Sequence, residues 1–258
     1  MVMKKGTCEF CGDTDVWINK EHVWPVWLGL AVLEGVNAPR LRISNGETMG
    51  LLRRIHGKLN ITAHCACRDR CNGGWMRELE GETSPLMRPM AVEAGLTLLD
   101  DTRRTLLAAW CIKTAMVHEF LDRERIKYFT PADRLHVATY RKPPEGVRIW
   151  LGFFNDATRL HSWPVVRRLK EGGLAPTSYS LTLIAGKVLL QMLAVRDVQM
   201  TVETARPRLD GVPSGMLIDL WPRYSSAFDH WPTAREVNHD NLDSFNHRFW
   251  PRRGDLPL

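Results

Sequence analysis

Three short segments decide how this chain is interpreted: Cys8-Glu-Phe-Cys11, Glu21-His22-Val-Trp-Pro25 and Cys67-Arg-Asp-Arg-Cys71-Asn72-Gly-Gly-Trp75. Two cysteine pairs about sixty residues apart can hold two distant loops around one tetrahedral zinc ion. A glutamate followed by a histidine stands between the pairs, and an amide side chain follows the last cysteine. Hydrolysis of a phosphodiester needs a base for water and oxygen ligands for a divalent metal ion. The three segments together contain side chains of both kinds.

The cysteines of the first and third segments predict a structural zinc site made by Cys8, Cys11, Cys67 and Cys71. A Cys-x2-Cys turn presents both thiolates to one metal ion at about 2.3 Å. Three residues, instead of two, separate the cysteines of the second pair, so Cys65 is an alternative ligand in place of Cys67. The alternative to a zinc site is a group of buried free thiols. Because the sequence begins without a secretory signal, we expect a cytoplasmic protein whose cysteines are not in disulfides.

The residues that follow the first and second cysteine pairs predict a catalytic site. Glutamate suits a metal ion, and the imidazole of His22 suits the abstraction of a proton from water near neutral pH. Adjacent side chains of a strand point in opposite directions, which separates the roles of Glu21 and His22. The alternative is a surface dipeptide without function. Asn72 is either a further metal ligand or the N-cap of the helix that follows it.

The composition indicates a folded protein, and its charge suits a polyanionic partner without requiring one. The chain has 258 residues, of which 44% are apolar, and it carries a formal charge of +6 with a pI near 9.1. This apolar content is sufficient for a sizeable core and excludes wholesale disorder. No run of residues approaches the eighteen or so apolar positions that cross a bilayer. The positive balance suits nucleic acid.

The pattern along the chain predicts an α+β fold in two parts. Residues 1–90 are rich in Cys, His, Trp and Gly, which is typical of a small module held by a metal ion. Arg40–Ile43 and Lys58–Ile61 alternate polar with apolar residues and are predicted strands. A short helix is predicted from Asn72 onward, with a break at Pro85 and Pro89.

Residues 91–258 predict a mixed region of helices and antiparallel strands whose role the sequence does not define. Apolar residues at helical spacing predict a helix from about Thr102 to Arg125, and Pro131–Tyr140 predicts a shorter one with proline in its first turn. Val147–Phe154 is a predicted strand. Ser178–Arg196 is a predicted hairpin that turns at Ala185-Gly186.

On these residues the sequence resembles the HNH endonucleases of the ββα-metal finger superfamily. The zinc-bearing branch of that family has Cys-x2-Cys, then Asp/Glu-His-Ile/Val-x-Pro, then Cys-x2-Cys-Asn. The resemblance covers about residues 8–90, and the runs Glu21–Leu28 and Cys71–Glu80 resemble a bacterial and phage subgroup. The chain departs from the pattern in the three residues between Cys67 and Cys71 and in a long insert from Gly29 to Thr62.

The resemblance implies a role for each matching residue. His22 would be the general base that activates water, and Glu21 and Asn72 would hold a divalent metal ion, usually Mg²⁺. The family's middle asparagine, which orients the base, matches Asn60 best, with Asn45 as the alternative. The structural zinc ion would be separate from this catalytic ion.

Seven basic residues of the same module are expected to contact DNA phosphates, for which arginine is well suited: Arg40, Arg42, Arg53, Arg54, Lys58, Arg68 and Arg70. A solvated charged face is the alternative. Arg167-Arg168-Leu-Lys170 is a second, weaker basic patch, and His118-Glu119 is interpreted as structural.

The expected function is therefore that of a metal-dependent DNA endonuclease with structural Zn²⁺ and catalytic Mg²⁺. DNA and a second copy of the chain are the candidate partners, and no membrane is expected. The alternative functions are a catalytically inactive zinc protein that binds nucleic acid and a structural protein in which zinc only stabilises the N-terminal part.

Overall fold

The computed structural model describes residues 4–33, 40–43, 51–54, 61–121, 127–157, 160–167, 178–196, 215–223, 229–240 and 242. Helices and strands both contribute to the fold, so the predicted α+β class is confirmed. No helix in these ranges is long and apolar enough to cross a membrane.

The N-terminal part contains a three-stranded antiparallel sheet followed by helices. Its strands are β1 (Lys4–Gly6), β2 (Val16–His22) and β5 (Thr62–Cys67), with β2 in the centre. Helix α1 (Val26–Leu33) follows β2 directly. A π-helical segment (Arg68–Met76) follows β5 and continues into α2 (Arg77–Glu93).

A large sheet forms most of the remaining structure. Its strand order is β11-β7-β10-β9-β8-β3-β4, and β13 pairs with β7. The pairs are antiparallel except β3 with β8 and β13 with β7. The strands are β3 (Arg40–Ile43), β4 (Leu51–Arg54), β7 (Val147–Phe154), β8 (Leu160–Arg167), β9 (Ser178–Ala185), β10 (Val188–Val195), β11 (Leu217–Trp221) and β13 (Glu236–Val237). Strands β6 (Thr97–Leu99) and β12 (Asp229–Trp231) form a separate pair.

Helix α3 (Asp101–His118) lies at the centre of the molecule. It packs against α2, α4 (Pro131–Tyr140), β5, β10 and β11, and most of its side chains are buried. Asp100 caps its N-terminus by accepting a hydrogen bond from the Arg103 amide at 2.8 Å. The helix is shorter than predicted, because a 3₁₀ turn (Glu119–Leu121) follows it and residues 122–126 lie outside the described residues.

Several elements lie where the sequence predicts them. Helix α4 and strand β7 have the predicted bounds, β3 coincides with the predicted strand, and β9 and β10 form the predicted hairpin. Gly186 in the hairpin turn has φ +57°, and a Cβ there would lie 2.3 Å from the Ala91 carbonyl oxygen. Glycine therefore allows the turn to contact the end of α2. Of the predicted strand Lys58–Ile61, only Ile61 is described, and it precedes β5.

The predicted break at Pro85 and Pro89 is wrong, because α2 continues through both prolines to Glu93. Proline removes a helical hydrogen bond, but both rings are exposed. The opposite face of α2 buries Leu79, Thr83, Met87, Met90 and Ala91. Burial of this apolar face outweighs the local preference to end the helix.

The two predicted parts of the chain share one hydrophobic core. A continuous cluster of buried side chains extends from Cys8 to Trp231, and Trp24 of the second motif packs against Trp110 of α3 at 6.4 Å between ring centroids. Strand β3, from the first ninety residues, pairs with β8. The division into two domains at residue 90 therefore stays a prediction, and the hydrophobic core contains residues from both sides of it.

Candidate active site and metal centre

The structure brings together the four cysteines that the sequence selects as ligands. The sulfur atoms of Cys8, Cys11, Cys67 and Cys71 all lie within 4.8 Å of one another. The Sγ distances Cys8–Cys71 and Cys11–Cys67 are both 3.7 Å. Tetrahedral coordination with bonds of about 2.3 Å separates sulfur atoms by about 3.8 Å. The cluster therefore has the dimensions of a four-cysteine zinc site and could hold a zinc ion.

Cys65 is not part of this cluster. Its thiol is fully buried and lies 3.9 Å from the Ala63 carbonyl oxygen, to which it can donate. Burial raises the pKa of Cys65 well above its usual value, so the group stays a thiol. An irregularity in β5 explains the difference, because Cys65 has no partner in the register with β2, whereas Cys67 pairs with Ile18 at the end of the strand, beside the turn that carries Cys71.

The three-residue spacing of the second pair follows from the backbone after β5. Cys67 ends the strand and Cys71 lies four residues later in the π-helical segment, so that one helical turn returns the second thiol to the first. A Cβ on Gly73 would lie 2.6 Å from the Arg68 carbonyl oxygen, and Gly74 has non-helical angles of φ −98° and ψ −114°. The two glycines therefore permit the tight turn that carries Cys71.

The first cysteine pair lies in a turn that is fixed by contacts with distant parts of the chain. The Gly12 amide donates to the Cys8 carbonyl at 3.0 Å, and the Glu9 amide donates to the Cys65 carbonyl of β5 at 2.9 Å. Arg134 of α4 is buried and donates to the Glu9 carbonyl at 2.6 Å and to the Glu9 carboxylate at 3.2 Å. Helix α4 thus stabilises one side of the zinc site.

Crowding of the four sulfurs changes their protonation. The hydrogen bond from the Cys71 thiol lowers the pKa of Cys8 to about 4, against the effect of burial and with help from neighbouring backbone amides. The same hydrogen bond raises the pKa of Cys71, and burial raises the pKa of Cys11 to about 12. The Cys67 amide donates to the Cys8 sulfur at 3.2 Å. Cys8 is therefore held as a thiolate, and a zinc ion bound here would release protons from Cys11 and Cys71.

Glu21 and Asn72, fifty-one residues apart, meet beside the cysteine cluster. The Asn72 Nδ2 donates to Glu21 Oε2 and, at 3.3 Å, to the Lys20 carbonyl. The Asn72 Oδ1 accepts from Asn19 Nδ2 at 2.8 Å. The alternative of Asn72 as an N-cap is wrong, because the helical segment begins after Cys67 and Asn72 lies inside it.

Lys113 of α3 is the site residue that the sequence interpretation missed. Its side chain is fully buried, and its Nζ lies 3.0 Å from Glu21 Oε1 and 2.7 Å from Glu80 Oε1 of α2. Burial lowers the pKa of Lys113, but the Glu21 and Glu80 carboxylates outweigh it and raise the pKa above its usual value. The sequence signal for this site residue was a lysine on the apolar face of the helix, three residues after Trp110 and four before Val117.

His22 ends strand β2 and is partly exposed. It pairs with Thr62 on β5, while Glu21 pairs with Ala63, so the two side chains point to opposite faces of the sheet. His22 has no hydrogen bond or ion pair with any residue of the described ranges. The predicted orienting residue Asn60 and its alternative Asn45 lie outside the described residues.

The predicted phosphate contacts are distributed over several elements. Arg68 forms an exposed ion pair with Asp69, and Arg70 forms one with Asp13. The remaining predicted residues lie in β3 (Arg40, Arg42), in β4 (Arg53, Arg54) and outside the described residues (Lys58). In β3 and β4 only the backbone is described, and there Arg40 is opposite Arg54. Exposed ion pairs are weak because water screens them, so they leave both arginines available to phosphate.

The structural interpretation of His118-Glu119 agrees with their contacts. The His118 Nε2 lies 3.1 Å from the Ser162 hydroxyl. The Glu119 carboxylate accepts hydrogen bonds from the Tyr128 amide at 2.6 Å and from the Phe129 amide at 3.3 Å. Burial raises the pKa of Glu119 to about 7.

Compared with known proteins, the chain matches no family model, no curated protein and no solved structure. Membership of the HNH family therefore stays a prediction from the motifs, and the functional argument depends on the geometry of the site.

Proposed function

We propose that this protein is a metal-dependent DNA endonuclease. The observation that carries the proposal is the contact between Glu21 and Asn72 beside the four-cysteine cluster, with His22 next along the strand. The chemistry of a phosphodiesterase needs oxygen ligands and a base within one small volume. Glu21 and Asn72 would supply the oxygen ligands where β2 meets the π-helical segment, and His22, on the opposite face at the end of the same strand, would supply the base.

Glu21 and Asn72 would hold the catalytic divalent ion. The donors fit such an ion, because a carboxylate oxygen and an amide oxygen are ligands that Mg²⁺ accepts, with water and phosphate completing the shell. The Asn72 nitrogen faces Glu21, so the amide must rotate to present its oxygen, and this rotation breaks its hydrogen bonds with Asn19 and with the Lys20 carbonyl. When bound, the ion stabilises charge on the scissile phosphate and on the leaving oxygen.

Lys113 fixes the Glu21 carboxylate for this role. It donates to Oε1, which leaves Oε2 facing Asn72. A buried carboxylate without a counter-charge tends to take up a proton and lose its affinity for a cation. The Lys113 ammonium group supplies that counter-charge to Glu21 at 3.0 Å, and it also contacts Glu80, on its other side, at 2.7 Å.

His22 would take the proton from the attacking water. Its position at the end of a strand leaves the imidazole partly exposed, so water and substrate can reach it. Because its side chain has no ion pair among the described residues, the imidazole is available to the attacking water.

Plasmid cleavage tests the proposal. We expect the purified chain to nick supercoiled plasmid with Mg²⁺ or Mn²⁺ and not in EDTA, and His22→Ala to lower the rate at least about 100-fold, the usual contribution of a general base. The matched control is His64→Ala, because His64 is an exposed histidine of the adjacent strand β5. Cleavage by His22→Ala at the parental rate, or equal loss in both variants, would contradict the role of His22.

A second function is favoured by one specific contact. Lys113 already supplies a positive charge to Glu21, and the Asn72 amide nitrogen faces the same carboxylate, as in a site that needs no further cation. In that case the chain is a zinc protein that binds nucleic acid without cutting it. DNA binding without nicking across Mg²⁺, Mn²⁺ and other divalent ions would identify this function.

A further inference from the structure

A groove lies along one face of α2, beside the candidate active site. It has a volume of about 560 Å³ and is open to solvent. Trp27 of α1 forms one wall, and the α2 residues Arg77, Glu80, Ser84 and Arg88 line the other. Gly81 lies between them, and its missing side chain leaves the middle of the groove open.

Two exposed arginines mark the ends of this groove. Arg77 and Arg88 are eleven residues apart, which is three helical turns, so they lie on the same face of α2 and about 16 Å apart along its axis. Neither side chain forms an ion pair or a hydrogen bond with a residue of the described ranges. Arg141, by contrast, is paired with Glu78 and Glu82 of the same helix. Arg77 and Arg88 therefore have charges that no described carboxylate neutralises.

The acidic residue of the groove does not cancel these charges. Glu80 is one carboxylate against two arginines, and it accepts a hydrogen bond from the buried ammonium group of Lys113, 2.7 Å away. The lining as a whole is therefore positive, with an aromatic wall from Trp27, whose indole Nε1 has no hydrogen-bond partner. A cationic groove with an aromatic side suits a polyanion that carries planar bases.

We propose that the α1–α2 groove binds the phosphodiester backbone of DNA; the identity of the ligand rests on the proposed endonuclease function. One strand of a DNA duplex carries a charge every 3.4 Å along its axis, so the distance from Arg77 to Arg88 spans about five phosphates. Glu80 contacts Lys113, and Lys113 contacts Glu21, so a chain of ion pairs joins the groove lining to the candidate active site. A strand held in the groove would therefore lie close to that site.

A binding measurement on the full chain tests the groove separately from cleavage. The probe is a fluorescein-labelled duplex of 20 base pairs, followed by anisotropy without added divalent ions over a range of KCl concentrations. The variant is Arg77→Gln with Arg88→Gln, and the matched control is Arg103→Gln with Arg235→Gln, which removes two exposed arginines from α3 and from the segment before β13. Thermal unfolding of each variant checks that it is folded.

We expect the groove variant to bind about 60-fold more weakly at 0.1 M KCl, because two phosphate contacts each release about 0.9 of a counterion. The slope of log K against log salt should fall by about 1.8 for the same reason, and the control should keep the parental affinity and slope. Parental affinity in the groove variant, an equal loss in the control, or no binding by the parental chain would each overturn the proposal. If the groove variant binds DNA more weakly but the parental chain never nicks plasmid, the proposal that the groove binds DNA stands and the proposed endonuclease function is rejected.

Discussion

Replacement of Lys113 by methionine tests the charge arrangement at the centre of the candidate site. Methionine fills most of the space of the lysine stem but carries no charge. The fully buried ammonium group lies 3.0 Å from one Glu21 oxygen and 2.7 Å from one Glu80 oxygen. Without Lys113, Asn72 is the only side chain among the described residues that is shown to hydrogen-bond to the buried Glu21 carboxylate. Removal of one member of a buried ion pair costs about 3–5 kcal/mol.

The assay is equilibrium unfolding in urea at neutral pH with zinc present, followed by circular dichroism. With a slope near 3 kcal/mol/M, the midpoint should fall by about 1–1.7 M. The control is Lys142→Met, an exposed lysine, which should change stability by no more than about 0.5 kcal/mol.

A double variant separates charge from packing. Adding Glu21→Gln to Lys113→Met removes the unpaired carboxylate, so it should restore part of the lost stability. A loss below about 1 kcal/mol in the single variant would refute the reasoning that Lys113 balances a buried charge. So would a double variant no more stable than Lys113→Met, because the loss would then come from packing alone.

Three further predictions concern zinc, pH and the tight turn. One zinc ion per chain should be measured by metal analysis, and Cys71→Ser should abolish its retention whereas Cys65→Ser should not; equal retention by both variants would contradict the assigned ligands. Because burial raises the pKa of Glu119 from 4.5 to about 7, the folded chain holds a proton that the unfolded chain loses, and stability should fall by about 3 kcal/mol as pH rises from 4.5 to 7. Urea unfolding across this pH range should show the fall, and Glu119→Gln should flatten it; the same slope in both proteins would assign the effect elsewhere. Gly73→Ala places a Cβ 2.6 Å from the backbone carbonyl oxygen of the preceding turn, so it should destabilise the chain and weaken zinc retention. Gly81→Ala, where a Cβ meets nothing within 4 Å, should be neutral or stabilising in the same thermal-melt assay.

Part of the candidate site was predictable because its chemistry is local in sequence. A Cys-x2-Cys turn and a Glu-His pair are defined by neighbouring residues, and the choice of Cys8, Cys11 and Cys71 needs no knowledge of distant packing. The choice of Cys67 over Cys65 needed the structure, because it depends on where β5 ends and on the tight turn that follows.

The sequence by itself determined the elements whose signals lie within a few residues. Helix α4 has its proline and capping threonine at one end, and the β9–β10 hairpin has glycine at its turn, so both lie where the sequence predicts them. Local hydrogen bonding and side-chain periodicity are sufficient for such elements.

Only the tertiary structure decided the features that depend on burial between distant segments. Helix α2 continues through Pro85 and Pro89 because its apolar face packs in the core. Lys113 reaches Glu21 and Glu80 because α3 packs against both α2 and β5. Lys113 and Glu21 are ninety-two residues apart in the sequence. The free energy of burying a charge is set by all the neighbours that surround it, and those neighbours are known only once the chain has folded.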